Sequence, residues 1–358
     1  MTDPVAVHMG VLSLERWDDV WRRNQHLASQ LVEQGIVERI TFVEPAEWAP
    51  REIGHPSPGI TTVRPRLGLP KRAGGLRLLA AALRRGPLRD TDLLWINDAS
   101  LGRWVAQPDQ RAFYDVTDDW RASALSDRVR RRLVTAEDWL STRATTVVCS
   151  DELARRWKQR YETDPAVVGN GVDLRHWRNV VPITLPGAGP HLGYVGTLHA
   201  ERLDVDLIVE LARCTAVGKV HLVGPDILDA GSRARLDAAG VHRRGPVAHT
   251  EVPAWLRAFD VLICPHVVTA FTLSLDAIKA YEYAAAGRPV VATPTSGFQA
   301  IASNKWSPTI SSDFVAEVTV VLGAGAQPSR LPPAVGWDER AKDLGGLLGG
   351  LSVLSAGR

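Results

Sequence analysis

The sequence lacks the features of a membrane-spanning or disulfide-bonded protein. Only three of its 358 residues are cysteines, and their odd number and wide spacing predict reduced, buried thiols. No apolar run reaches the roughly 20 residues that a membrane-spanning helix needs. The stretch MTDPVAVHMG at the start has neither the basic segment nor the apolar core of a signal peptide. We therefore expect a cytoplasmic protein, with the inner face of the membrane as a second location to test.

A large charge of either sign is also absent. The chain carries 42 lysine and arginine residues against 40 aspartate and glutamate residues, a formal net charge of +2. This balance gives no indication of a nucleic-acid partner. The local exception is 55–89, which contains no carboxylate and holds Arg64, Arg66, Lys71, Arg72, Arg77, Arg84, Arg85 and Arg89. Residues 64–89 fit either a sheet-covering helix with a solvated basic side or a landing patch for an anionic acceptor or a membrane surface.

The dinucleotide fingerprint G-x-G-x-x-G is missing as well, which argues against a nicotinamide-dependent oxidoreductase. What the chain does contain is an alternation of strands and helices. It opens with a predicted strand over Val5–Leu12, a helix over Trp17–Gln34 and a strand over Ile40–Val43. This order implies a parallel sheet, and 358 residues favour two domains. The predicted fold class is therefore α/β, with doubly wound sheets.

The stretch from Ser274 to Val291, SLDAIKAYEYAAAGRPVV, predicts a helix that leads into a buried strand. Another predicted strand, Val261–Cys264, comes shortly before it. In doubly wound sheets, ligands bind beyond the carboxyl ends of the strands, which is where the predicted helix start at Ser274 falls. Lys279 and Glu282 lie three residues apart on this helix. They fit either a solvated ion pair or part of a ligand site.

The segment KAYEYAAAGRPVVAT resembles the signature of retaining, nucleotide-sugar-dependent glycosyltransferases of the GT-B fold, family four. Its K-x-Y-E-Y pattern resembles a subgroup associated with cell-surface polysaccharide and natural-product glycosylation. Glu282 matches the second signature glutamate, which in the family binds the ribose hydroxyls of the donor. Ser274 stands where the family has its first glutamate, which reaches hydroxyls of the donated sugar. The resemblance implies two Rossmann-like domains that face a central cleft.

The same resemblance extends to a phosphate segment of the pattern G-R-L…K-G. Gly196 matches its glycine, Thr197 stands in the arginine position and Arg202 stands in the lysine position. The turn at Gly224 and the loop containing Val247 resemble segments that contact the donor. The donor-binding residues that the resemblance implies are Gly196, Thr197, Arg202, Gly224, Val247, Ser274, Leu275, Lys279 and Glu282.

Departure of the nucleotide needs charge stabilisation at its diphosphate. Arg202, Lys279 and the predicted helix start near Ser274 could supply it, and the first two are therefore candidate catalytic residues. Asp204 and Asp206 have the D-x-D spacing of a metal site, but they fall within a predicted helix. Family members are usually metal-independent, so we expect neither a metal nor another cofactor.

Candidate acceptor-side residues come from the first half of the chain. His26 lies on the first predicted helix. Asn97 follows a predicted core strand over Leu93–Ile96, and Asp119 follows another over Ala112–Val116. A lone helical histidine also fits a structural role. Asp118 falls near the position where many family members carry an active-site histidine beside the transferred sugar, which makes it a candidate catalytic residue. The alternative for Asp118 is a cap for the arginine-rich helix that follows.

Together these observations predict an acceptor-binding domain over 1–173, a linker over 174–190, a nucleotide-sugar-binding domain over 191–333 and a helix over 334–358 that returns to the first domain. The implied activity is transfer of a sugar from a nucleoside-diphosphate sugar to a hydroxyl of a glycan, a lipid-linked acceptor or a small molecule. Because the first glutamate is missing, a catalytically silent nucleotide-sugar-binding protein stays open as the alternative.

Overall fold

The structure is a computed structural model that describes residues 7–301, 313–324 and 335–351. It divides into two compact units, with Met1–Gly169 and Trp337–Arg358 in unit 1 and Asn170–Gly336 in unit 2. The expected linker, 174–190, therefore lies in unit 2, where Leu174–Trp177 forms a short 3-10 helix. No helix in the described part of the chain is long and apolar enough to cross a membrane.

Unit 1 is built on one eight-stranded sheet. Its strands are β1 (His8–Leu12), β2 (Arg39–Val43), β3 (Glu52–Ser57), β4 (Ile60–Arg64), β5 (Leu93–Ile96), β6 (Arg111–Val116), β7 (Thr145–Val148) and β8 (Ala166–Val167). Their spatial order is β3-β4-β2-β1-β5-β6-β7-β8. The β3 and β4 strands pair antiparallel, and the other neighbours pair parallel. The predicted parallel sheet is thus present, with one antiparallel strand added at its edge.

The helices of unit 1 are α1 (Arg23–Glu33), α2 (Gly75–Arg85), α3 (Ala99–Val105), α4 (Asp127–Ser141), α5 (Asp151–Tyr161) and the C-terminal helix (Trp337–Leu348). The first helix begins six residues later than predicted. The reason is that the backbone N–H of Trp17 donates to the Glu44 carboxylate at 3.0 Å, and the Trp17 ring packs edge-on against Phe42. These contacts hold the residues before α1 in a loop.

The C-terminal helix packs against α1 inside unit 1. Trp337 is 2% exposed, and its ring stacks on the His26 ring with the centroids 4.8 Å apart. Ala341 and Leu344 are buried on the same side of the helix. The apolar face of this helix therefore belongs to the core of unit 1.

Unit 2 contains a five-stranded sheet in which all neighbours pair parallel. Its strands are β9 (His191–Val195), β10 (Lys219–Val223), β11 (His242–Arg244), β12 (Val261–Cys264) and β13 (Val290–Ala292), and its helices are α6 (Val205–Arg213), α7 (Ala230–Ala238), α8 (Val252–Ala258), α9 (Ile278–Ala286), α10 (Ser296–Ile301) and α11 (Phe314–Gly323). The spatial order is β11-β10-β9-β12-β13. The chain leaves β9 toward β10 and later returns to the other side of β9 with β12. The carboxyl ends of β9 and β12 therefore form a topological switch point, where doubly wound sheets bind ligands.

Candidate functional site

Two glycines face each other at the carboxyl ends of β9 and β10. Gly196 has a φ of +144° and Gly224 a φ of +140°. A Cβ atom added to Gly224 would lie 2.3 Å from the carbonyl oxygen of Gly196. Only glycine fits both the backbone conformation and the spacing, and its missing side chain leaves the backbone open to a ligand.

Lys279 of α9 reaches this pair of glycines. A Cβ atom on Gly196 would lie 3.4 Å from the Nζ of Lys279, and this Nζ stands 5.1 Å from the centre of the Tyr194 ring. Burial alone would lower the pKa of Lys279, but its acidic neighbours, Tyr194 foremost, outweigh burial and raise it. The side chain is therefore a cation at neutral pH, placed against bare backbone.

Arg202 adds a second positive charge near the same edge of the sheet. Its guanidinium carbon lies 5.1 Å from the centre of the Phe271 ring, and its carbonyl accepts from the N–H of Val267 at 2.7 Å. A surface pairing of Arg202 with Asp206 would have made it a structural residue, but Asp206 pairs with Arg235 instead. Within the described residues, neither Arg202 nor Lys279 forms an ion pair. Two uncompensated cations at a switch point are suited to bind an anion.

Glu282 lies one turn beyond Lys279 on α9 and is half-buried. Burial raises the pKa of its carboxyl to about 7, although the nearby charge of Lys279 acts in the opposite direction. The expected alternative, a solvated ion pair with Lys279, is not formed. In the part of the chain that the structure describes, Glu282 forms no hydrogen bond either. It is a desolvated acceptor that a ligand with two hydroxyl groups could satisfy.

The prediction that Ser274 begins and caps the helix is wrong. Ser274 is fully buried in the short 3-10 helix Thr272–Ser274, and its Oγ donates to the carbonyl of Phe271 at 2.7 Å. The α9 helix begins four residues later, at Ile278. Hydrogen bonds within the preceding loop and at Asp276 explain the delay, since the Asp276 carboxylate accepts from the backbone N–H of Asn170 at 2.7 Å. Any helix-dipole contribution to an anion site must therefore come from Ile278 rather than from Ser274.

Two histidines near the cations were not predicted as site residues. His266, 2% exposed, lies two residues beyond the end of β12 and places its Nε2 3.4 Å from the hydroxyl of Tyr194. Burial, and then the charges of Lys279 and Arg202, hold its pKa well below the usual histidine range. Burial and the same charges lower the pKa of His199 to about 4. Both rings are neutral at neutral pH, and their positions just after strand ends were the signal that could have identified them.

The other donor-side candidates lie in unit 2 in less distinctive surroundings. The carbonyl of Thr197 accepts from the Tyr194 hydroxyl at 3.4 Å, Leu275 is 5% exposed, and Val247 is half-buried against the core. Asp204 caps α6 by accepting from the N–H of Leu207. Among the described residues, no group of three His, Cys, Asp or Glu side chains is placed to hold a metal ion.

The candidates in unit 1 are engaged in its internal packing. The side-chain oxygen of Asn97 accepts from Asn24 at 3.0 Å, and its amide donates to the carbonyl of Asp115 at 3.2 Å. His26 is 4% exposed and stacks on Trp337. These contacts give both residues structural roles, and acceptor contact by either residue stays a prediction.

Asp119 is buried, and its carboxylate accepts from Arg156 at 2.9 Å and from Arg160 at 2.7 Å. Burial opposes its ionisation, but the hydrogen bonds from both arginines outweigh burial and lower its pKa. These hydrogen bonds give the carboxylate a structural role, and acceptor contact by Asp119 stays a prediction. The half-buried Asp118 cannot cap the arginine-rich helix, because α4 begins only at Asp127.

Comparison with known proteins agrees with this architecture. The structure resembles the Anabaena protein HepE in complex with UDP and glucose, with a TM-score of 0.65, 16% identity and coverage of 95% of this chain and 94% of HepE. It also resembles the E. coli trehalose-6-phosphate structure bound with UDP-2-fluoro glucose, with a TM-score of 0.66, 12% identity and coverage of 97% and 96%. These likenesses show that the chain has the GT-B fold with two Rossmann-like units, which confirms the predicted fold class.

Sequence comparison specifies the class further. Residues 189–319 match the model of the family described as glycosyl transferases group 1. TuaH of Bacillus subtilis (strain 168), named for a glycosyltransferase role in teichuronic acid biosynthesis, is 26% identical over 205 residues, or 51% of this chain. The chain spans about half the length of this curated relative, because the match covers 50% of it.

Proposed function

We propose that this protein transfers a glycosyl group from a nucleoside-diphosphate sugar to an acceptor hydroxyl. The observation that carries the proposal is a group of charges at the switch point: Lys279 lies against the open backbone of Gly196, and Arg202 and Glu282 lie near enough to Lys279 to shift its pKa. Two uncompensated cations suit a diphosphate, and a desolvated carboxylate suits the two ribose hydroxyls of a nucleotide.

The same cations would stabilise the transition state. Negative charge develops on the diphosphate as the bond to the anomeric carbon breaks, and Lys279 and Arg202 would neutralise it. His266 and Tyr194 would act indirectly, since Tyr194 lies beneath the ammonium of Lys279 and contacts His266. We assign Asp118 to the neighbourhood of the transferred sugar, in unit 1 with the acceptor.

Several finer assignments belong to this proposal. The UDP in the similar structures supports a UDP-sugar as donor. The K-x-Y-E-Y segment supports retention of the anomeric configuration and membership of family four. We propose that the reaction needs no metal and that the acceptor is a glycan, a lipid-linked molecule or a small molecule from polysaccharide or natural-product biosynthesis. For residues 64–89, contact with the inner membrane face is the alternative to contact with an anionic acceptor.

The first experiment is a thermal-shift screen with UDP, GDP, TDP and ADP. We expect the largest shift with UDP, and the shift should disappear in Lys279→Met but remain in Arg213→Met, a control at an exposed position of α6 in the same unit. Equal shifts in both variants would remove Lys279 from the nucleotide site.

The second experiment measures release of UDP from UDP-sugars, with and without EDTA or manganese. Turnover unaffected by EDTA supports metal independence, and nuclear magnetic resonance of the product anomer tests retention. The family match and the name of TuaH favour a transferase over a catalytically silent binder. Tight donor binding without hydrolysis or transfer to any acceptor would reverse that preference.

A further inference from the structure

Unit 1 carries two adjoining clefts that the donor site does not involve. Each has a volume of about 450 Å³. One lies beside the segment that precedes α2, and the other lies between α2, α3 and α4. Lys71 and Arg132 line both clefts, so the two are continuous, and we call them the basic groove. Its basic side chains are Lys71, Arg77, Arg103, Arg128 and Arg132.

The basic groove has an excess of positive charge. In the described ranges of the chain, none of its five basic residues forms an ion pair, and no carboxylate lines either cleft. Asp98 lies near Lys71 and Arg132, but its side chain caps α3 by accepting from the N–H of Leu101. Burial raises the pKa of Asp98, and the charges of Lys71 and Arg132 act in the opposite direction. Asp127, at the start of α4, does not line the groove.

Two tryptophans complete the groove. The guanidinium carbon of Arg77 lies 4.3 Å from the centre of the Trp104 ring, and that of Arg103 lies 5.3 Å from it. These cation–π contacts position both guanidinium groups without neutralising them. Trp48 lines the other cleft and is 59% exposed, so it offers an apolar face to a ligand. Fixed cations beside exposed aromatic surface suit a ligand that has both anionic groups and apolar C–H faces, which describes an acidic sugar.

We propose that the basic groove binds the acceptor of the transfer reaction, and that this acceptor is an anionic oligosaccharide with carboxylate or phosphate groups on successive units. The inference rests on the proposed transferase function, because it assigns the acceptor class. Clefts of a few hundred Å³ are the usual size of small-molecule sites, and each would accommodate a sugar-sized group. Lys71 and Arg132, shared by both clefts, would meet anionic groups on neighbouring units.

An anionic membrane surface is the competing occupant, since Leu69 and Leu78 are 42% and 54% exposed beside the groove. Two features favour the oligosaccharide. The cations line two adjoining concave clefts, and four of the five are arginines. A membrane attracts lysine and arginine alike through charge. A planar carboxylate or phosphate gains a second parallel hydrogen bond only from arginine.

The test measures binding of soluble probes to the full chain by calorimetry at low and at about 150 mM salt. The probes are trigalacturonate, an oligomer of glycerol phosphate and neutral maltotriose. We expect an acidic probe to bind at least about tenfold more tightly than maltotriose, because a charge-assisted hydrogen bond is worth more than a neutral one. Whichever acidic probe binds more tightly identifies carboxylate or phosphate as the recognised group.

Three paired variants locate the binding. Arg77→Ala with Arg132→Ala should weaken the acidic probe at least about tenfold. Arg84→Ala with Arg85→Ala removes the same charge from α2 outside the groove and should change affinity less than about twofold. Arg77→Lys with Arg132→Lys keeps the charge and should still weaken the acidic probe, by about threefold or more.

Absence of acidic-probe binding, or an equal loss in both alanine pairs, overturns the inference. A second outcome also overturns it: the protein binds phosphatidylglycerol vesicles, the lysine pair binds them equally well, and no soluble probe binds. That outcome assigns the surface to a membrane. Binding of UDP, measured for the wild type and for each paired variant, separates the groove proposal from the proposed transferase function. A chain that binds acidic probes through the groove but no nucleoside diphosphate keeps the groove as an anion site and overturns the proposed transferase function.

Discussion

Replacing Glu282 by glutamine should strengthen the fold and weaken the donor site at the same time. The carboxyl is half-buried on α9, has no hydrogen-bond or ion-pair partner among the described residues, and has a pKa raised to about 7. Glutamine has nearly the same shape but never ionises. A residue kept for stability would show the opposite effect on the fold, so the sign of the change separates function from structure.

The magnitude follows from the pKa of about 7 in the folded protein against the ordinary glutamate value of 4.5. A carboxyl with a raised folded pKa favours folding most below its unfolded pKa and loses that contribution as pH rises through its folded pKa. The penalty at pH 8 is at most about 3 kcal/mol and falls below about 1 kcal/mol at pH 5. Solvent screening of a half-buried group reduces it, so we expect Glu282→Gln to gain about 1–2 kcal/mol at pH 8.

Urea denaturation at pH 5 and pH 8 measures the stability, and calorimetry with a UDP-sugar measures the affinity. Loss of a charged acceptor for two ribose hydroxyls should weaken binding by about 2–4 kcal/mol. Wild-type affinity should rise between pH 6 and pH 8, because the carboxylate must ionise, while the affinity of Glu282→Gln stays constant. Glu210→Gln, an exposed change on α6, is the control for loss of one negative charge. A glutamine variant that is less stable at pH 8 and binds the UDP-sugar as well as wild type does would refute the reasoning.

Four further outcomes are expected. Lys279→Met should weaken binding of UDP far more than binding of uridine, by calorimetry, since it removes a cation at the phosphate site, and Arg213→Met should weaken neither; equal losses for UDP and uridine would contradict this. Asp119→Asn should lower the free energy of unfolding in urea by about 2–4 kcal/mol, because its two arginines lose a buried counter-ion. Unchanged stability with a higher KM for the acceptor would contradict this and support acceptor contact by Asp119. His221, whose pKa is lowered to about 4 chiefly by burial, favours folding above pH 6.5 and loses that contribution as pH falls. The free energy of unfolding of wild type should therefore fall between pH 7 and pH 5, and in His221→Phe this fall should be smaller by up to about 2 kcal/mol, as measured by denaturation at both pH values. Ser274→Glu should destabilise the fold, because Ser274 is fully buried, and a rise in hexose transfer without loss of stability would show that a sugar pocket opens there.

Strands and their order along the chain were the features that the sequence predicted well. Leu93–Ile96 and Val261–Cys264 occur with the expected bounds. Both are short apolar runs that are buried on both sheet faces, so local composition and tertiary burial agree. The edge strand β3, by contrast, has the sequence EIGHPS and an exposed pattern. It forms a strand by pairing with the neighbouring β4, and no local periodicity in its sequence predicts this pairing.

Local backbone features of the candidate site could be predicted from the sequence, whereas features that depend on distant partners could not. Gly196 and Gly224 follow strand ends directly, and their positive φ angles match the reason for expecting glycine there. The uncompensated state of Arg202 depended on whether Arg235, on another helix, would take Asp206, which spacing along the chain does not show. The same limit applies to the helix start at Ser274, since competing hydrogen bonds from the loop and from Asn170 decide where α9 begins.

The later start of α9 changes how the missing signature glutamate should be understood. With the helix starting at Ser274, a serine in place of glutamate would leave an open pocket beside the donated sugar. In the structure, the Ser274 hydroxyl is fully buried and donates to the Phe271 carbonyl, so this side chain faces its own loop. Glu282 and Lys279 are unaffected by the shift, because both lie within α9. Recognition of the nucleotide and stabilisation of its diphosphate can therefore persist without the first glutamate, whereas any contact with the sugar hydroxyls must come from groups other than the Ser274 side chain.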